Sequence, residues 1–113
     1  MTQSEIWLIN LDPTVGAEIK KTRPAIIVNN DEIGIIPLNV IVPITDWQDR
    51  YNNVPWMVKI IPGNDNNLDK VSVADCFQIR SLSNERFVKR IGKVDFVKMA
   101  SIIEAVSSVI SIY

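Results

Sequence analysis

Gly16-Ala17-Glu18-Ile19-Lys20-Lys21-Thr22-Arg23-Pro24-Ala25-Ile26-Ile27-Val28 decides how this chain is read. Its polar half gathers an acid, three cationic residues and a hydroxyl, and its apolar half is too short for anything but a strand. A loop feeding a strand sets polar side chains at the mouth of a rigid element, where the scaffold fixes them and the loop gives access. Arg23 is the best placed of them. Pro24 stands near the strand start, where its missing N–H costs least, and Gly16 permits a backbone angle that other residues resist.

Upstream, residues 5–11 are β-branched, aromatic and apolar and run into Asp12-Pro13, which predicts a first strand and a turn. Downstream, residues 29–32 close the second strand. Residues 33–38, broken by Gly34 and Pro37, fit a short helical turn or an irregular segment. Residues 39–45 predict a third strand that delivers Thr45 at its far end. A polar loop carrying Trp47 and Tyr51 leads to a fourth strand over 54–61, and 62–67 is a turn. Residues 70–79 alternate as one fifth strand, with Val71, Val73, Asp75, Phe77 and Ile79 on one side.

Residues 86–94 predict a last short strand, after which Asp95 caps a helix running to the C-terminus. Phe96, Met99, Ile103, Val106, Ile110 and Tyr113 form one stripe of that helix, with Ile102, Ala105, Val109 and Ile112 beside it. This apolar face is wider than a small sheet requires, so core packing and a dimer contact both fit it. Five or six strands and one helix predict a mostly β fold, a small partly closed barrel with a helix packed against it, as one domain over 1–113.

The chain has 113 residues and a net charge of −1, which disfavours indiscriminate coating of nucleic acid but leaves room for a local basic site. Lys20, Lys21 and Arg23 form one cationic cluster, and Arg86, Lys89, Arg90 and Lys93 form another. With one cysteine, Cys76, and no histidine, neither an internal disulfide nor a structural zinc site is expected. The cysteine usage reads as a reducing, cytoplasmic setting. Neither a signal peptide nor a membrane span is apparent, so the chain is expected to be soluble.

Several residues carry two readings. Glu18, Lys20 and Lys21 fit a solvated loop as well as a site. Arg23 fits a structural bridge or a fork for phosphate oxygens. Thr45 fits an ordinary strand hydroxyl or a phosphate donor. Asp75, an acid in an apolar strand, must be paired, with Arg23 or Arg80 as candidate partners, or else catalytic. Trp7 and Trp56 read as core, whereas Trp47 and Tyr51 offer faces for stacking unpaired bases. Together these residues suggest a phosphodiester site. Without histidine or a metal cage, cleavage would use the substrate's own nucleophile, which RNA supplies as its 2′-hydroxyl. Glu18 or Asp75 could take the proton, Arg23 and Lys20 could hold the growing charge, and Thr45 could bond a phosphate oxygen.

Residues 6–18, with their Asp12-Pro13-Thr14-Val15-Gly16-Ala17-Glu18 turn, followed by Lys21-Thr22-Arg23-Pro24-Ala25, resemble the opening of the MazF/PemK family of toxin endoribonucleases. Val42-Pro43-Ile44-Thr45, residues 73–80 and the C-terminal helix continue the likeness over nearly the whole chain. The resemblance implies an SH3-like barrel, a homodimer, metal-independent cleavage of single-stranded mRNA without a cofactor, and a cognate antitoxin that blocks the site. It places the catalytic arginine on Arg23, the strand-end threonine on Thr45 and the loop acid on Glu18. Asp75 joins them as a further catalytic candidate, and Lys20, Lys21, Trp47, Gln78 and Arg80 as RNA-binding candidates. The chain departs from the pattern in two places. Many relatives have an aspartate immediately before the glutamine, where this chain has Phe77 and carries its acid at Asp75. Some members also use a histidine in the first loop. A gyrase inhibitor of the same fold and a degenerate RNA-binding relative are the competing readings.

Overall fold

The computed structural model describes residues 1–111. Among these, seven strands precede one helix: β1 (Glu5–Asn10), β2 (Thr22–Ile27), β3 (Leu38–Asp46), β4 (Met57–Ile60), β5 (Ser72–Asp75), β6 (Arg80–Ser83), β7 (Phe87–Lys93) and α1 (Phe96–Ile110). Every strand pair is antiparallel, and the order across the sheet is β4-β5-β3-β2-β1-β7, with β6 also on β3.

The apolar run of β2 is explained by burial on both faces, since successive strand residues point to opposite sides. Ile26 joins one core with Ile6, Val42 and Ile44 beneath α1. Ala25 and Ile27 join a second with Ile9, Ile41 and Leu82, packed against Trp7, Ile19 and Phe87. β3 is long enough to serve three partners, with β2 along its middle, β6 at its first half and β5 at its last residues.

That division corrects the single strand expected over 70–79. β5 ends at Asp75, a 3₁₀ turn takes up Cys76–Gln78, and β6 resumes in a new register on β3. The two-residue alternation therefore breaks. Asp75 is buried, whereas Phe77, expected beside it on one face, is 60% exposed. The fourth strand is also shorter than expected, because residues 54–56 form a turn in which the Met57 N–H donates to the Val54 carbonyl at 3.1 Å. Trp56 lies in that turn, half-buried against the α1 core and 5.4 Å from the Phe77 ring. Residues 31–33 make a 3₁₀ turn capped by the Asn30 side chain, after which the chain is irregular to Pro37.

The sheet does not close, for β4 and β7 remain its two ends. The β4–β5 connection covers part of the gap. Lys93 N–H donates to the Asp65 carbonyl at 3.0 Å, and the Asn67 side-chain amide donates to the Ile91 carbonyl at 2.9 Å. Gly92 makes this approach possible, because a Cβ there would stand 2.4 Å from the Asp65 carbonyl oxygen.

Asp95 caps α1 as expected, its carboxylate accepting from Lys98 N–H at 2.7 Å. The buried face takes residues from both stripes read from the sequence, Met99 from the first and Ile102 and Ala105 from the second, with Val106 packed beside them. Met99, Ile102 and Ala105 face the core, while Phe96 is 87% exposed and Ile110 is 67% exposed. Both stripes have helical spacing, so periodicity does not say where along this wide apolar face the core contact falls; the position of the sheet does. Ile112 and Tyr113 lie outside the described residues. Among the described residues no helix is long and apolar enough to cross a membrane.

Candidate active site

The loop between β1 and β2 is pinched at its base. Leu11 N–H donates to the Lys21 carbonyl at 2.9 Å, and Lys21 N–H donates to the Asp12 carboxylate at 3.1 Å. Arg80 donates to the Leu11 carbonyl at 3.3 Å, and Arg86 donates to the Asn10 and Asp12 carbonyls. Arg80 is thus a brace for this loop. The loop tip is held by Gln78, whose side-chain oxygen accepts from Ile19 N–H at 2.6 Å and whose NH₂ donates to the Ala17 carbonyl at 3.3 Å. Between those two anchors Glu18 is exposed and accepts from Val15 N–H. The side chains of Lys20 and Lys21 are exposed and make no hydrogen bond or ion pair among the described residues.

Arg23, half-buried at the start of β2, donates from Nε to the Lys20 carbonyl at 3.4 Å. In the pairing of β2 with β3, Ala25 stands opposite Pro43. Antiparallel register carried two residues further sets Arg23 across from Thr45. Both residues border one open groove of about 360 Å³ that Lys70 and Lys89 also border, but their side chains share the face of Ile9, Ala25 and Ile27, opposite to that of Leu8, Pro24 and Lys89. Lys70 is paired with Asp46 at 3.2 Å. Neither Glu18 nor Asp75 lines this groove.

Asp75 belongs to a different environment. Its Oδ1 accepts from Phe77 N–H at 3.2 Å and its Oδ2 from the Gln78 NH₂ at 3.1 Å, so its partners are neither Arg23 nor Arg80. The 3₁₀ turn folds Gln78 back onto Asp75, which brings the displaced acid into contact with the glutamine despite their separation in sequence. Burial raises the carboxyl above the ordinary aspartate range, partly offset by these hydrogen bonds. Next to it, burial and the Asp75 charge push the Cys76 thiol up to about 12, so Cys76 is a core residue and not a nucleophile.

Trp47 stands apart with Tyr51, the rings edge-on at 6.0 Å, and the Lys59 ammonium lies 4.8 Å over the indole. One face of Trp47 is therefore already covered. Lys70 and Lys89 are the residues that sequence reading did not attach to the groove. Lys89 sits in a visible basic run, but nothing in the run shows which member turns toward it. Arg90 instead pairs with Glu5 at 3.3 Å. Among the described residues no three of His, Cys, Asp or Glu gather in a way that could hold a metal ion.

A planar guanidinium and a hydroxyl on one groove can grip two oxygens of a phosphodiester. Comparison with known proteins adds a family. The family described as PemK-like, MazF-like toxin of type II toxin–antitoxin systems matches residues 2–110. The chain is 31% identical over 111 residues to endoribonuclease MazF9 of Mycobacterium tuberculosis, covering 93% of this chain and 92% of that protein. It is 46% identical over 46 residues to endoribonuclease PemK of Escherichia coli, covering 40% of this chain and 35% of that one. In fold it is similar to MazF of Deinococcus radiodurans, with a TM-score of 0.77 at 22% identity over 98% of this chain and 96% of the other. A mycobacterial endoribonuclease in complex with its cognate antitoxin gives 0.77 at 18% identity over 100% and 97%.

Proposed function

The chain belongs to the PemK/MazF family of type II toxin–antitoxin toxins, and from that premise we propose that its groove at Arg23 and Thr45 cuts single-stranded mRNA. The protein is an endoribonuclease of the MazF type. The observation that carries the site is that Arg23 and Thr45, from two neighbouring strand ends, stand opposite one another in register and so share one face of the sheet.

In this reading the scissile phosphate lies against the Arg23 guanidinium, with the Thr45 hydroxyl on a non-bridging oxygen. A base takes the 2′-hydroxyl proton, the 2′-oxygen bonds to phosphorus, and the bond to the 5′-oxygen breaks. The products are a 2′,3′-cyclic phosphate and a 5′-hydroxyl. Arg23 stabilises the charge that builds on the phosphate oxygens and keeps its own protons. The leaving oxygen takes its proton from water.

Neither candidate base lines the groove beside Arg23 and Thr45, and of the two we assign Glu18 on its accessibility. It is exposed, and its second carboxylate oxygen has no partner among the described residues. Asp75 is 6% exposed with both oxygens engaged, so it supports the Gln78 turn that holds the Glu18 loop. Lys20 and Lys21 supply diffuse positive charge at the loop.

A cognate antitoxin covering the site is supported by similar folds solved with one. A homodimer is supported by the bare apolar side of α1, where Phe96, Val97 and Ile110 are 87%, 74% and 67% exposed. We place the activity in the cytoplasm, where mRNA is translated. The test is incubation of the protein with single-stranded RNA in EDTA. Wild type is expected to leave 2′,3′-cyclic phosphate ends and to spare a 2′-deoxy strand. Cleavage of the 2′-deoxy strand would overturn the mechanism.

A further inference from the structure

Strand pairing carries Lys59 to the face of Arg23 and Thr45. Arg23 falls opposite Thr45 in the β2–β3 register, Thr45 stands opposite Val73 on β5, and Val73 stands opposite Lys59 on β4. Directly opposed residues project to the same side of a sheet, so these four form one row across four strands. Alternation agrees with this. Ile44, Ala74 and Val58, each one residue along from a member of the row, pack into the core beneath α1, which leaves the row on the other face. Its accessible members are the polar ones. Arg23 and Thr45 are half-buried and Lys59 is exposed, while Val73 between them is buried. Two strand spacings, roughly 9.6 Å, separate Lys59 from Thr45.

A contact independent of the register puts the Lys59 side chain on that face. Trp47 N–H donates to the Val71 carbonyl at 3.2 Å, which continues the β3–β5 ladder past Asp46 and keeps Trp47 on the side of Thr45, two residues before it. The Lys59 ammonium lies 4.8 Å over the indole. An aromatic face holds a cation through its quadrupole and leaves the three N–H donors of the ammonium unfilled. The Lys59 side chain makes no hydrogen bond or ion pair among the described residues. Asp49, the acid of this cluster, accepts instead from the indole N–H at 3.3 Å. Lys70, by contrast, is committed to Asp46 at 3.2 Å. Lys59 is thus a positioned cation with open bonding capacity, in one row with the residues read as the phosphate grip.

We propose that Lys59, held over the Trp47 indole, pairs with a phosphate flanking the cut, on the side of Thr45 away from Arg23. The inference rests on the endoribonuclease reading of Arg23 and Thr45, and it gives Lys59 no contact with the scissile phosphate.

The experiment compares wild type with Lys59→Gln on a single-stranded RNA carrying a mapped cut site. Binding is followed against salt on the same strand made uncleavable by a 2′-deoxy sugar at the cut, and cleavage is followed under steady state. The variant is expected to show a log–log salt dependence of binding shallower by about 0.7, the single-strand contribution of one phosphate contact. Its KM is expected to rise about three- to fivefold, the worth of an exposed charge pair, with kcat unchanged. Lys59→Arg, which keeps the charge and the contact with the indole, is expected to restore both. Flanking linkages are then replaced one at a time by an uncharged methylphosphonate. One of them is expected to cost wild type the same factor and Lys59→Gln nothing.

An unchanged salt slope in Lys59→Gln, or equal sensitivity of both proteins to every methylphosphonate, would overturn the contact. A lysine that serves only to pack Trp47 would give that result together with a lower melting temperature. The slope is read from binding to an uncut strand, so it decides the contact separately from the chemistry. Failure of wild type to cut RNA would instead overturn the function on which the contact rests.

Discussion

The Arg23–Thr45 groove and the Asp75–Gln78 turn put polar residues to opposite ends. At the groove, Arg23 and Thr45 share one face of the sheet at neighbouring strand ends, with no carboxylate paired to Arg23 among the described residues. At the turn, a buried acid and a half-buried amide spend their polar atoms on each other and on backbone. A polar group whose bonding capacity is filled by the protein stabilises the fold, and one left open to solvent can bind a substrate. Arg80 and Arg86 are likewise committed to the carbonyls of residues 10–12, whereas Arg23 makes a single long bond, at 3.4 Å to the Lys20 carbonyl.

The sharpest way to break this comparison is Arg23→Ala. Loss of one preorganised stabiliser of transition-state charge is expected to cost about 100- to 1,000-fold in kcat, with little change in melting temperature. Cleavage at the wild-type rate would mean that the groove is not the active centre. Glu18→Gln is expected to lower kcat about 100-fold, the lower range for a general base, again with the fold intact. If Asp75→Asn matched that loss of kcat without loss of stability, the base would have to be reassigned to Asp75.

Asp75→Ala tests the structural side. It leaves the Gln78 NH₂ and the Phe77 N–H without their acceptors, and denaturant unfolding is expected to report a loss of about 1–3 kcal/mol. Its effect on kcat should be smaller than that of Arg23→Ala, because it acts only through the loop that Gln78 holds. Retained stability would show that the turn does not depend on its cap.

The smallest expected effects are in pH dependence, where two acids differ in sign. Asp75 is raised by burial, so the folded chain holds its proton more tightly than the unfolded chain does. Its contribution is present in acid and lost as pH rises through the raised value. Wild type should therefore lose stability relative to Asp75→Asn over that window. Glu5 is also pushed up by burial, but bonds from the Trp7 indole and Thr2 N–H and the charge of the N-terminus hold it below the ordinary range. Its contribution is present above the ordinary glutamate range and lost as pH falls through the lowered value. Wild type should accordingly gain on Glu5→Gln as pH rises out of acid. Parallel profiles for the two variants would contradict these assignments.

Much of the architecture was legible because it depends on local pattern. The run 5–11, the run into Val28 and the third strand all mark β structure through β-branched residues and flanking turns, and Asp95 marks the helix start. The fifth strand was misread for a physical reason. Residues 70–79 alternate well enough for one strand, but β3 offers its edge first to β5 and then to β6 in a different register, and the surplus residues become a 3₁₀ turn. Alternation within a segment carries no information about where its partner strand ends.

Local pattern alone marks a mostly β chain with a C-terminal helix and singles out Glu18, Arg23 and Thr45 through motif and strand ends. Long-range contacts fix which residues of α1 are buried, that Gln78 and Arg80 brace the first loop, and that Arg23 stands opposite Thr45. The reason is range. Strand, turn and cap signals arise between residues a few positions apart, whereas a groove is made by side chains from β1, β2, β3, β7 and a loop. Their meeting depends on register and on close approaches such as that at Gly92, which no local pattern encodes.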